Sequence, residues 1–101
     1  MTTSVEQQSR ELGRLLILRE LAKQPDGRLN SLLLQSQLAA IGIARSREWV
    51  HEEMAYLAGL GAILVAHAGS VRIAQLASKG RDHVDRIVAI EGVMRPALPE
   101  A

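Results

Sequence analysis

The chain has 101 residues, enough for one domain whose hydrophobic core needs no metal or disulfide support. It holds no cysteine, which excludes a disulfide framework, a thiolate nucleophile and cysteine-based zinc or iron–sulfur sites. Twelve basic and eleven acidic residues leave a formal charge of +1, so any contact with nucleic acid must rest on local charge and not on a bulk positive field.

The first residues, "MTTSVEQQSRELGR", are polar where a signal peptide would need an apolar core, and no apolar run is long enough to span a bilayer. The expectation is a soluble, cytoplasmic protein of a bacterial host cell with no membrane contact. With no Phe, one Trp and one Tyr, its core must be aliphatic. Leu12, Leu15, Leu16, Ile17, Leu18, Leu21 and Ala22 recur at helical spacing, predicting an amphipathic helix from about Val5 to Gln24. Pro25, Asp26 and Gly27 end it. Arg28-Leu29 has room for one bridge of a sheet. Asn30 or Ser31 can then cap a second helix, from about Ser31 to Ile41, a contribution of about 1 kcal/mol. That helix would bury Leu33, Leu34 and Leu38 and stop at Gly42.

Ser46 is the next cap, and Val50, Met54, Leu57 and Leu60 follow at helical spacing until Gly61. After Gly61 the period changes to two. Ile63 and Val65, then Val71 and Ile73, alternate around "HAGS", which predicts a β-hairpin turning at residues 68 to 70. Ser78 starts a fourth helical pattern in which Val84, Ile87 and Val88 pack inward, and "EGVMRPALPEA", with Gly92, Pro96 and Pro99, reads as an extended tail. The fold class is therefore mostly α with a small β-hairpin, in a single domain with its core at about residues 8–90 and a tail at 91–101. Two short helices joined by "GIARS" with a hairpin directly after them meet the description of a winged helix-turn-helix. A four-helix bundle is the alternative, and it leaves the period-two segment unexplained.

The stretch "SREWVHEEMAYLAGLGAI" resembles the signature S-x-x-x-V-x-x-x-L-x-x-L-x-x-x-G-L of ArsR-type winged helices at Ser46, Val50, Leu57 and Gly61, with Met54 and Ala62 in place of two leucines. "VRIAQLASKGRDHVDR" and the later "EGVMRP" are similar to the ends of small winged-helix proteins of Mu-like phages and prophages. The matching positions are Ala74, Leu76, Gly80, Gly92, Val93, Arg95 and Pro96, with Ala77 where those proteins often have threonine. The resemblance covers residues 8 to 96. It implies a winged helix and a phage-encoded DNA-binding or regulatory module, often encoded near DNA-packaging genes. Metal sensing of the ArsR type does not carry over, since its usual thiolates are absent.

On such a fold the start of the third helix would read the major groove, while basic side chains and helix amides hold phosphates. The candidate DNA contacts are Arg28, Asn30, Ser31, Arg45, Ser46, Arg47, Glu48, His51 and Arg72, with Lys79 or Arg81 as further phosphate ligands. Arg47 can bond guanine and Glu48 the cytosine amino group. Asn30 and Ser31 are caps first, and the isolated basic residues have an ordinary reading as solvated surface. The third helix nevertheless carries Glu48, Glu52 and Glu53 against the one basic residue Arg47, a poor start for binding phosphates.

The charge leaves a second function open, a winged helix used for protein–protein contact without sequence-specific DNA binding. Trp49 could then be part of an exposed interface or could seal the core edge. Leu12, Val88 and Ile90 complete a candidate surface for a phage or host protein, or for a homodimer with two DNA half-sites. Enzymatic chemistry is not expected. His51-Glu52-Glu53 opens like the zinc motif H-E-x-x-H, but Ala55 stands where the second histidine would be, so no metal or other cofactor is expected. Asp82, His83 and Asp85 read as a solvated helix face.

Overall fold

In a computed structural model, residues 4–97 are described, and the end of the expected tail, Pro99 included, lies outside them. The order is α1 (Val5–Ala22), β1 (Arg28–Asn30), α2 (Ser31–Ala40), α3 (Arg47–Gly59), β2 (Ile63–Ala68), β3 (Val71–Leu76) and α4 (Ser78–Val84). The result is an α+β arrangement of four helices and a three-stranded antiparallel sheet in the order β1-β3-β2. β1 is a three-residue strand where a single bridge was expected.

Short-range chemistry sets the helix starts. Ser4 Oγ, Asn30 Oδ1 and Ser46 Oγ accept from the backbone N–H groups of Gln7, Leu33 and Trp49, capping α1, α2 and α3. The β2–β3 turn is Gly69-Ser70. Gly69 has φ 63°, a left-handed value at the first turn position that glycine adopts without strain.

The core is aliphatic, built from Leu15, Ile17, Leu18 and Leu21 of α1, Leu34 and Leu38 of α2, Val50, Met54 and Leu57 of α3, and Ile63 and Ala74 of the sheet. Leu33 does not join it. It is 48% exposed because α2 turns Leu34 and Leu38 inward, leaving Leu33 beside the edge of the sheet. α4 passes closely over the connection between α3 and β2: a side chain on Gly80 would overlap the Ala62 carbonyl, which accounts for glycine at that place.

The fourth helix is shorter than its apolar pattern suggested. Arg86 takes a left-handed φ of 64°, and the N–H groups of Arg86 and Ile87 return to the carbonyls of His83 and Asp82, closing α4 without a glycine. Ile87 and Val88 therefore stay exposed instead of packing inward. The segment after them is not a free tail. Ile90, Val93 and Pro96 are buried, Met94 N–H donates to Glu11 O, and Tyr56 Oη donates to Glu91 O.

His83 anchors this strap and is fully buried, contrary to its expected place on a solvated face. Its Nδ1 accepts from the Ile90 N–H at 3.0 Å, so the ring proton sits on Nε2, which donates to Met94 O at 2.9 Å. No helix among the described residues is long and apolar enough to cross a membrane.

Candidate nucleic-acid interface

The exposed side of α3 is divided by charge. Glu53 is 1% exposed and points into α1, where Arg14 Nε donates to it at 2.6 Å and Arg10 forms a second ion pair. Arg14 also stacks over Tyr56 and donates to Gly92 O, tying the buried pair to the C-terminal strap. Glu52 stays at the surface but meets Arg10 at 3.3 Å on the same flank. Two of the three glutamates that counted against DNA contact are thus matched by arginines of α1. Only Glu48 remains at the front, 3.6 Å from Arg47. Its own backbone N–H, with Arg47 nearby, holds its carboxyl below the ordinary 4.5.

Basic groups collect on the other flank. His51 Nε2 lies 3.0 Å from Ser31 Oγ, and Ser31 Oγ also accepts the Arg72 N–H at 3.0 Å, so one hydroxyl joins α3, α2 and β3. Burial lowers the His51 imidazole below its ordinary 6.5, and the positive charges of Arg72 and Arg47, with a smaller effect from His67, lower it further while Glu48 opposes them. Arg47 lies one helical turn before His51 on α3, and His67 faces Arg72 across the hairpin. Because the folded state disfavours the His51 proton, its stabilising contribution is present above pH 6.5 and is lost as the pH falls toward the lower folded-state value. Urea unfolding between pH 5.5 and 8 should therefore show stability rising with pH near the lower end in the parent protein, and a smaller rise in His51→Gln; identical profiles would contradict the assignment.

Arg28 does not join this cluster. It pairs with Gln75 of β3, three residues from Arg72, and alternation along the strand puts the two arginines on opposite faces of the sheet. Arg28 lines the outer face with Leu64, Ala66 and Ile73. Arg45 is also turned away, bonded to Glu6 at 2.7 Å and lying over the Trp49 ring. Asn30 and Ser46 are occupied as caps, and Ser31 is 1% exposed, so Ser31 orders the site from beneath and does not present itself to a ligand.

Two residues of the expected interaction surface also move inward. Trp49 is 7% exposed, with Nε1 donating to Glu6 at 3.0 Å and its ring packed against Gly13, and Ile90 is buried in the strap. Leu12 is half-buried, and Val88 is exposed. The buried α1–α3 pairs are not evident from the helix alone, where arginines at 10 and 14 look like any polar positions. The i, i+4 repeat of Glu6, Arg10 and Arg14 on one helix face was the available signal.

The Ser31–His51 distance would suit a nucleophile and its base, but the Ser31 hydroxyl is enclosed and already accepts a backbone amide. No group of three or more His, Asp or Glu side chains suited to a metal ion occurs among the described residues. A surface depression of about 480 Å³ between α2 and the loop before α3, lined by Leu32, Gln35, Ser36, Ala39, Ala44 and Arg45, lies apart from the basic cluster. Comparisons of the chain with protein families, with curated proteins and with solved structures find no match.

Proposed function

We propose that this chain is a winged helix-turn-helix protein that binds double-stranded DNA through the first half of α3, with β2 and β3 as the wing. Its role would be that of a phage- or prophage-encoded transcriptional regulator or DNA-associated accessory factor, as the sequence resemblance implies. The observation that carries the DNA reading is the link made by the Ser31 hydroxyl between His51 and the Arg72 backbone, which sets the Arg72–His67 pair of the hairpin beside the first half of α3, while Glu53 is withdrawn into an ion pair with α1. Arginine side chains at the start of a helix and on an adjoining hairpin can hold phosphates on both sides of a groove. Arg47 is then the base-reading residue and Arg72 the phosphate contact.

Titration against phage control-region and packaging-region fragments at low and near-physiological salt tests this. Binding that weakens as salt rises is expected. An absence of binding to every fragment at both salt levels overturns the DNA role. The exposure of Leu32, Leu33 and Leu64 favours a second reading, a protein-interaction module, for which the phage or host partner would be recovered in a pull-down that changes at those leucines.

A further inference from the structure

The hydroxyl of Ser31 has one proton to give and, in its enclosed position, one place to give it. Ser31 Oγ accepts the Arg72 N–H at 3.0 Å, and the other polar atom bonded to it among the described residues is His51 Nε2, also at 3.0 Å. If Nε2 carried a proton, Oγ would accept twice, and the Ser31 O–H would be left in the interior without an acceptor, which is costly. With a bare Nε2 the O–H donates to the ring and the whole group is satisfied, in keeping with the lack of unpartnered buried side-chain nitrogen and oxygen atoms among the described residues. The neutral ring then carries its proton on Nδ1.

His51 Nδ1 bonds to no described residue, and since no unpartnered polar atom is buried there, it is open to solvent on a partly exposed side chain. His83 is the opposite case, with its proton on Nε2 and both ring nitrogens engaged by the strap. Of these two rings, only His51 directs an N–H outward.

We infer that Ser31 fixes His51 as the Nδ1–H tautomer, and that this neutral N–H is a donor to a phosphate oxygen on the α3 face. The ligand rests on the DNA reading; the tautomer does not. A phosphate oxygen fits because it only accepts, and because His51 is joined through Ser31 to the backbone of Arg72, the phosphate contact of the hairpin. The charged and titratable groups about the ring are Arg47 and Glu48 of α3, Arg72 of β3 and His67 of β2, while α2 contributes only the Ser31 hydroxyl. Burial and the two arginines favour the uncharged ring over the opposing effect of Glu48. The arginines therefore supply charge, and His51 supplies direction.

Long-range proton–nitrogen correlation spectra of the free protein near pH 7.5 test the tautomer. His51 should show the Nδ1–H pattern and His83 the Nε2–H pattern in one spectrum, the His51 signals being those lost in His51→Gln. Ser31→Ala should move His51 toward Nε2–H and leave His83 unchanged. If that chain fails to fold, the parent spectrum still decides, since an Nε2–H or doubly protonated His51 overturns the inference. In DNA titrations His51→Ala should weaken binding about tenfold, uniformly across sequences. The salt slope should stay that of the parent, and the factor should hold from pH 7 to 8.5, because no charge is removed. A slope reduced by about 1, a factor that disappears as pH rises, a loss confined to one base sequence, or no loss at all overturns the phosphate contact. A parent chain that binds no DNA defeats the proposed function and this contact together, while the spectra decide the tautomer separately.

Discussion

Glu53→Ala should lower stability by about 3–5 kcal/mol, the range for removing one partner of a buried ion pair. The Glu53 carboxylate is almost completely enclosed and satisfies two guanidinium groups. Without it, Arg14 remains under Tyr56 and against the strap with its charge uncompensated, while Arg10, which is partly exposed, can turn toward Glu6, Glu52 and water. That escape puts the loss nearer 3 kcal/mol, which in a domain of this size lowers the thermal midpoint by roughly 12 °C or more. Glu52→Ala on the same flank should change stability by less than about 0.5 kcal/mol, since surface pairs contribute little. Equal effects of the two substitutions, measured by thermal and urea unfolding, would mean that Glu53 does not hold α1 to α3.

The second large effect concerns DNA. Combined replacement of Arg47 and Arg72 by alanine should reduce affinity on the order of a hundredfold at low salt, with the two residues contributing differently. Arg47→Ala should relax preference at one base position by about 1–3 kcal/mol, as expected of a lost bidentate contact to guanine. Arg72→Ala should weaken binding uniformly across sequences and reduce the salt slope by about 1. Glu48→Gln should strengthen binding, because it removes the one acid left at the front of α3 without an α1 arginine. Affinity that is unchanged in both arginine variants would show that the DNA surface lies elsewhere.

Much of the architecture was legible because its signals are local. Asn30 and Ser46 were readable as caps from their place before apolar-periodic runs, and the switch from period 3.6 to period two located β2 and β3. The end of α4 was not readable, because Arg86, and not a glycine, takes the left-handed closing conformation. The candidate site divides in the same way. Arg47, His51 and Arg72 are legible from their positions, whereas nothing local separates Arg28 from them, and strand alternation sets it on the opposite face.

The three glutamates of α3 show where local reading stops. Helical spacing in "REWVHEEM" decides that Val50 and Met54 face the core, that Arg47 and His51 share a side, and that Glu48 sits next to Arg47 in the first turn, since all of this follows from 100° per residue. It does not decide what lies opposite each side. Glu53 is an interior charge only because Arg10 and Arg14, 43 and 39 residues earlier in the chain, arrive beside it when α1 packs on α3. Burial and charge pairing over that separation depend on how helices pack, and packing changed three like charges on one helix into one buried anchor, one flank pair and one exposed carboxylate.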